Sequence, residues 1–314
     1  PFWNALARFS DIVLPATTTL EREDIGGSGM DDFVFWMEKV IDPVGEAKND
    51  YDIFSELADR LDVGVRFAEG RTSRQWLEHL YERFHSGHPD YPTLDELKDA
   101  GHFQIPREWI PPVPSQLLSF RQDPLGSALK TPSGRIELYS ETIEGFAYPD
   151  CPPHPSWLEP AEWLGNATSG QLHMISNQPK TRLHSQWDHG ETSLNGKVEG
   201  REQIGMALTD ALDRGLDHGD LVRVFNDRGA TLAVVSIRSD LMEGVVQLPT
   251  GAWWDPVEAG GLCRSGNPNV LTRDVGTSSL AQGPTAQTCL VEIERFEGDA
   301  PAVRSHEAPG LVAP

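Results

Sequence analysis

Cysteine is scarce in this chain and never paired. Cys151, Cys263 and Cys289 lie far apart, none in a Cys-x-x-Cys arrangement. That spacing excludes the usual zinc and iron–sulfur patterns, and an odd number of thiols gives no disulfide framework. Long apolar runs are missing as well. No stretch of about eighteen apolar residues is present, so no membrane-spanning helix is expected. No charged-then-apolar leader opens the sequence. Positive charge is thin: 26 Lys and Arg stand against 48 Asp and Glu, a formal net charge of −22. Phosphate contacts need clustered Lys and Arg, so the charge argues against a nucleic-acid surface, and its plain consequence is solubility. The ten histidines are scattered. His184 and His189 sit where no helix puts them on one face, and neither reads as a metal ligand. No nucleophile–base set and no acid/base constellation can be located.

What is present is enough chain for a sizeable core. Its 314 residues are 38% hydrophobic and 24% charged, ordinary values for a soluble protein of one to three domains. Its most distinctive stretch is Ser176-Asn-Gln-Pro-Lys-Thr-Arg-Leu-His-Ser-Gln186. It has no helical or strand period, follows a short apolar strand at 171–175, and is built almost wholly of groups that give or take hydrogen bonds. Polar loops on a rigid scaffold are where ligands are gripped. Two later stretches share the character: Gly266-Asn-Pro-Asn-Val-Leu-Thr272 and Gly276-Thr-Ser-Ser-Leu-Ala-Gln-Gly283. Each alone reads equally well as a solvated loop. Together they read as one multivalent site for a large polar ligand.

In order and in type, these three motifs resemble the C-terminal cofactor-binding domain of the molybdopterin oxidoreductases, within them the dimethyl sulfoxide, trimethylamine N-oxide and biotin sulfoxide reductases. The resemblance extends over nearly the whole chain. It implies bis(molybdopterin guanine dinucleotide) molybdenum as cofactor, shared with an N-terminal part of the same enzyme, and oxygen-atom transfer from a small S-oxide or N-oxide. It implies an unidentified electron donor too, for which the acidic surface is a second reading of the charge. Pterin and guanine edges call for Asn and Gln, and diphosphate for Arg, hydroxyls and free N–H groups. Ser176, Asn177 and Gln178 are therefore assigned to pterin or diphosphate contact, and His184, Ser185 and Gln186 to pterin hydrogen bonds. Asn269, Gln282 and the backbone at Gly283 would close from the other side. Arg182 has two open roles, phosphate contact or an internal ion pair that holds the loop. No catalytic residue and no metal ligand is assigned, because in the family the protein ligand, a serine in this branch, lies in the N-terminal part. A start at Pro1, already like the inside of a domain, reads as a piece of a longer enzyme that is inactive alone. The compartment, cytoplasm or periplasm in a bacterial-type enzyme, stays open. So do three other readings: a formate dehydrogenase or nitrate reductase type, a stand-alone pterin-binding or interaction module, and a barrel hydrolase or decarboxylase.

Along the chain the expected fold is a mixed α/β remnant of catalytic domains followed by a β-rich, double-psi-like barrel. Residues 1–45 read as the end of a dinucleotide-fold domain, with Asp11–Pro15 a buried strand. Glu21 to Asp24 read as solvated or salt-bridged, and 33–41 as a second strand. Residues 46–165 read as helical and extended. Asn49 or Asp50 caps a helix whose stripe Ile53, Phe54, Leu57, Ala58 and Leu61 is core. Ser73 opens another, with Trp76, Leu77, Leu80, Tyr81 and Phe84 inward, and Thr93 to Glu96 has capping-box spacing. A proline-rich connector runs from about 104 to 133, clearest at 110–115, before a turn and strand at 131–139 and a helical turn from Ser140. Residues 166–297 alternate as barrel strands around one short helix, with Thr209 as its cap and a hairpin at 226–229. Trp253 and Trp254 read as packing residues, with the wall of a substrate funnel as the sharper alternative. From Gly298 to 314 the composition suggests a flexible tail.

Overall fold

A computed structural model describes residues 2–29, 31–110, 117–258, 260–285 and 287–310. The proline cluster at the centre of the expected connector, 111–115, lies outside the described residues, as do 311–314 of the expected tail. The chain forms two compact units, Pro1–Phe2 with Ser10–Ala128, and Trp3–Phe9 with Leu129–Pro314. The first helix, α1 (Ala5–Arg8), is a single turn of the second unit, capped by Asn4 Oδ1, which accepts from Ala7 N at 2.9 Å.

The first unit sets a small antiparallel sheet beside helices. Its strands are β1 (Asp24–Gly27), β2 (Phe33–Met37) and β3 (His102–Gln104), with β2 central. The helices are α2 (Asp50–Arg60), α3 (Gly64–Ala68), α4 (Ser73–Gly87), α5 (Leu94–Ala100) and α6 (Leu118–Gln122). Asn49 caps α2, and Thr93 with Glu96 forms the capping box of α5. Ser73 opens α4 as expected, with Thr72 as its cap and Gln75 completing the box. Leu97 and Tyr81 are the buried anchors, and the Tyr81 hydroxyl donates to Pro92 O at 2.8 Å.

Three expectations for this unit are corrected. Asp11–Pro15 is not a strand, and Ile12, Val13 and Leu14 are exposed. A strand exists only through a neighbour's hydrogen bonds, and the contact available here is the bridge of Ala16 to Lys48. The apolar stripes keep their helical period but are only partly core. Ala58 and Tyr81 are buried, whereas Phe54, Leu57, Leu61, Leu80 and Phe84 are exposed. Burial needs an opposing surface as well as a period. Glu21 is buried instead of solvated: its carboxylate accepts from Thr18 N, Thr18 Oγ1 and Val44 N at 2.6 to 2.8 Å. Those bonds hold its pKa below the usual carboxylate value.

The second unit contains the barrel. Before it come α7 (Glu141–Phe146), capped by Ser140 as expected, and a turn at 131–135 that is not followed by the expected strand. The six strands β4 (Leu172–Ile175), β5 (Gln203–Met206), β6 (Leu221–Asn226), β7 (Gly229–Ile237), β8 (Val245–Gln247) and β9 (Thr288–Arg295) close in the order β4-β8-β5-β7-β6-β9. Two pairs, β4 with β8 and β5 with β7, are parallel, and the rest antiparallel, which is the double-psi-like arrangement expected. Alternate residues point inward: Leu172 and Met174 from β4, Val222 and Val224 from β6, Cys289, Val291 and Ile293 from β9. Each fully buried Leu, Val, Ile or Met contributes about 1.5–3 kcal/mol. The longer β7 is buried on both faces over 230–235, because the segment at Cys263 lies along its outside, with Leu232 N donating to Cys263 O at 2.9 Å.

Two further one-turn helices punctuate the barrel, α8 (Glu191–Leu194) and α9 (Leu208–Leu212). The N-cap of α9 is Ala207 and makes no side-chain bond, so Thr209 lies inside the helix and is not its cap. Residues 301–306 of the expected tail pack against the barrel unit. Ser305 is 1% exposed, and the segment is held by hydrogen bonds from or to Pro301, Arg304 and His306. Composition alone suggested a loose end, but buried carboxylates supply the partners that composition cannot reveal. Among the described residues no helix is long and apolar enough to cross a membrane.

Candidate functional site

The polar loop leaves the barrel at the end of β4. Strand pairing carries one step beyond the strand: Ser176 N donates to Gln287 O at 2.8 Å, and Thr250 N to Asn177 O at 2.9 Å. Ser176 is buried. Asn177 Nδ2 donates to Gln178 O, and Gln178 Nε2 to Arg182 O at 2.6 Å, so the loop's first half is braced by its own amides. The turn that follows uses left-handed backbone at His184 (φ 50°) and Trp187 (φ 55°), closed by Gln186 N donating to Leu183 O. This leaves His184, Ser185 and Gln186 exposed side by side. Gly251 makes the turn possible. It has φ +100°, and a Cβ there would lie 1.8 Å from His184 O.

Beneath the loop is a buried charge cluster that sequence reasoning missed apart from Arg182. The side chains of Arg182, Asp188, Lys197 and Glu202 are 1%, 0%, 1% and 5% exposed. Arg182 Nη2 donates to Glu202 Oε1 and to Thr250 O, both at 2.8 Å, while Nη1 donates to Ser193 Oγ and Nε to His184 O. Lys197 Nζ is 2.6 Å from Asp188 Oδ1 and 3.3 Å from Glu202 Oε1. Asp188 Oδ2 accepts from Trp253 N at 3.1 Å and His306 Nε2 at 2.9 Å. Burial pushes the Asp188 carboxyl up, but His306 and Lys197 outweigh it and hold the pKa at about 2. Burial dominates at Glu202 and raises its pKa despite Lys197 and Arg182. Of the two roles open for Arg182, the internal ion pair is the one its geometry serves.

The three polar stretches do different things. Gly266-Asn-Pro-Asn-Val-Leu-Thr272 packs against Glu202 and Ala252. Gly266 (φ +90°) packs where a Cβ would come within 2.6 Å of Glu202 Cβ, and Asn267 Nδ2 donates to Ala252 O at 2.8 Å. Asn269 is exposed, its N–H taken by Asn267 Oδ1. The third stretch folds on itself. Thr277 N donates to Gly283 O and Gln282 Nε2 to Ser278 O, while Ser279 binds Asp150. Trp253 is a packing residue, its Nε1 donating to Ser185 O at 2.8 Å, and Trp254 stacks obliquely on Phe9.

A cavity of about 490 Å³ opens between the loop and the ends of β5, β7 and β8. Asn177, Gln178, Lys180, Gln203, Arg238 and Gln247 are among its walls, and Arg182 backs it. Asn269, Gln282 and Gly283 do not line it. The donor set is mixed, amides with two cations, which suits a ligand that carries both heteroaromatic edges and anionic oxygens. Asn177 Oδ1 is buried without a hydrogen-bond partner, an acceptor left for something outside the chain. Among the described residues no group of three or more His, Cys, Asp or Glu is placed to hold a metal ion.

Comparison with known proteins adds the following. Residues 172–290 match the family described as molydopterin dinucleotide binding domain, and residues 1–60 match molybdopterin oxidoreductase. A biotin sulfoxide reductase of Cereibacter sphaeroides is 46% identical over 98% of this chain and 42% of its own length. A trimethylamine-N-oxide reductase of Haemophilus influenzae is 42% identical over 99% of this chain and 39% of its own. A dimethyl sulfoxide/trimethylamine N-oxide reductase of C. sphaeroides is also 42% identical, over 98% of this chain and 38% of its own. The chain thus spans about 40% of the length of the curated relatives it matches. Among solved structures, acetylene hydratase from Pelobacter acetylenicus superposes with a TM-score of 0.66 over 93% of this chain and 39% of that one, at 20% identity, a likeness of fold.

Proposed function

We propose, proceeding from the membership of this chain in the molybdopterin oxidoreductases, that it is the C-terminal part of a molybdenum enzyme reducing S-oxides or N-oxides, and that its barrel carries the loop gripping a bis(molybdopterin guanine dinucleotide) cofactor. The observation that carries the reading is the match of residues 172–290, whose polar loop leaves β4 over a buried charge cluster and presents an unsatisfied Asn177 Oδ1. When bound, such a group supplies the two-electron chemistry by which an oxide loses its oxygen. This chain's residues bind and orient. Ser176, Asn177 and Gln178 meet pterin or diphosphate edges, and His184, Ser185 and Gln186 present donors and acceptors on the exposed turn. Asn269, Gln282 and Gly283 close over the ligand in the complete enzyme. Arg182 acts from inside, by holding His184 O in place. The rest of the polypeptide, a small oxide and an electron donor complete the system. For the domain map we propose 1–45 as the end of a dinucleotide-fold domain, 46–165 as connecting structure and 166–297 as the cofactor domain.

The test uses the full-length polypeptide. Acid hydrolysis should release guanine together with molybdenum, and reduced viologen should be consumed with trimethylamine N-oxide, dimethyl sulfoxide or biotin sulfoxide. A protein without guanine and molybdenum sinks the reading. One that holds both but turns over only formate or nitrate keeps the cofactor and loses the substrate class.

A further inference from the structure

We propose that residues 301–306 form a strap that latches the polar loop, and that His306 is its positioning residue. The proposal rests on reading the loop as cofactor-binding. The strap is tied to two buried carboxylates and to little else that is specific. At one end Arg304 N donates to Asp255 Oδ2 at 2.7 Å, while Asp255 Oδ1 takes Arg8 at 3.3 Å and Arg264 at 3.1 Å. At the other, His306 Nε2 donates to Asp188 Oδ2 at 2.9 Å, and its ring stands edge-on to Trp253 with centroids 5.2 Å apart. Ser305 between them is 1% exposed, and Pro301 O accepts from Arg201. Val303 rests on Gly200, where a Cβ would lie 3.2 Å from Val303 Cβ.

Both contacts of His306 lead to the exposed turn, through Asp188 in two further steps and through Trp253 in one. Asp188 Oδ1 is 3.4 Å from Arg182 Nε, which donates to His184 O at 3.2 Å. Trp253 donates from its indole to Ser185 O at 2.8 Å. Hydrogen bonds in a buried network reinforce one another, and an element touching two of its members biases the whole. A donor at the Nε2 position is the only part of the strap that reaches Asp188 among the hydrogen bonds described. Losing it leaves a buried carboxylate one partner short, and the loop is the side free to rearrange.

His306→Gln puts an amide nitrogen where Nε2 stands, whereas His306→Asn places it at the Nδ1 position, too short to reach Asp188. In the full-length enzyme, amide hydrogen exchange over 176–187 should be unchanged in His306→Gln and at least tenfold faster in His306→Asn. Guanine and molybdenum retained after gel filtration should fall at least threefold in His306→Asn alone. Equal exchange in the two variants overturns the latch. Faster exchange with full retention also overturns it, since the strap would then be merely structural. If the unaltered enzyme holds no guanine or molybdenum, the cofactor reading has failed instead, and the exchange comparison still decides whether the strap latches the loop.

Discussion

Asp188 is the hub of the buried cluster under the candidate site. It is enclosed, and two cations, an imidazole and a backbone N–H converge on it. Its folded pKa of about 2 lies below the roughly 3.9 of an unfolded aspartate, so its contribution is full above that higher value and is lost as pH falls through about 2. A shift of that size corresponds to about 2.5 kcal/mol. Glu202 has the opposite sign: its pKa is raised, so what it contributes is present at low pH and is lost as pH rises. We expect Asp188→Asn to flatten the acid limb of stability between about pH 4 and 2, and to cost about 3–5 kcal/mol at neutral pH because Lys197 and Arg182 stay buried. Urea midpoints across that range check it; an acid limb as steep as in the unaltered protein would refute the assignment. Cys289 marks the contrary case, since burial raises its thiol to about 12 and leaves it an inert member of the core.

At the scale of elements, the short strands hold the site because their ends emerge together. β4 delivers Ser176, and β8 leads to Thr250 and Gly251, whose backbone meets the loop. Loosening β4 should therefore loosen the site. Leu172→Ala removes a side chain that is 2% exposed and should cost about 2–5 kcal/mol, whereas Leu14→Ala, at a position 52% exposed, should stay within about 0.5 kcal/mol in this chain. Denaturant titration of both variants tests the contrast, and equal losses would mean that the barrel is not the stabilising core. The elements most legible beforehand were those written by a local rule. The β6–β7 hairpin closes at Asp227-Arg228, α5 shows its box, and β4 and β9 show their alternation. The strand expected at 11–15 failed because a strand is defined by its partner.

For the whole molecule, two facts bear on activity. The chain covers about 40% of its curated relatives' length, and its described residues gather no metal-binding set. Under the proposed division of labour we expect residues 1–314 by themselves not to turn over. Purified alone and supplied with reduced viologen and trimethylamine N-oxide, they should show no dye oxidation above buffer. Sustained oxidation would contradict the division of labour between this chain and the remainder of the polypeptide. The net charge of −22 belongs to this scale too, as a long-range field and not as a site.

The family, the barrel and the position of the polar loop were determined by the sequence alone, because each is written in local signals: motif order, inward alternation, turn and cap residues. What the three polar stretches do was decided by tertiary structure. Residues 266–272 pack against Glu202 and Ala252, 276–283 folds on itself and onto Asp150, and Arg182 turns inward to Glu202 and Asp188. The strap at 301–306 and the charge cluster it reaches were not legible either. The reason is physical: a hydrogen bond joining residues 118 positions apart has no sequence period, and a carboxylate looks the same in the chain whether water or a histidine will face it.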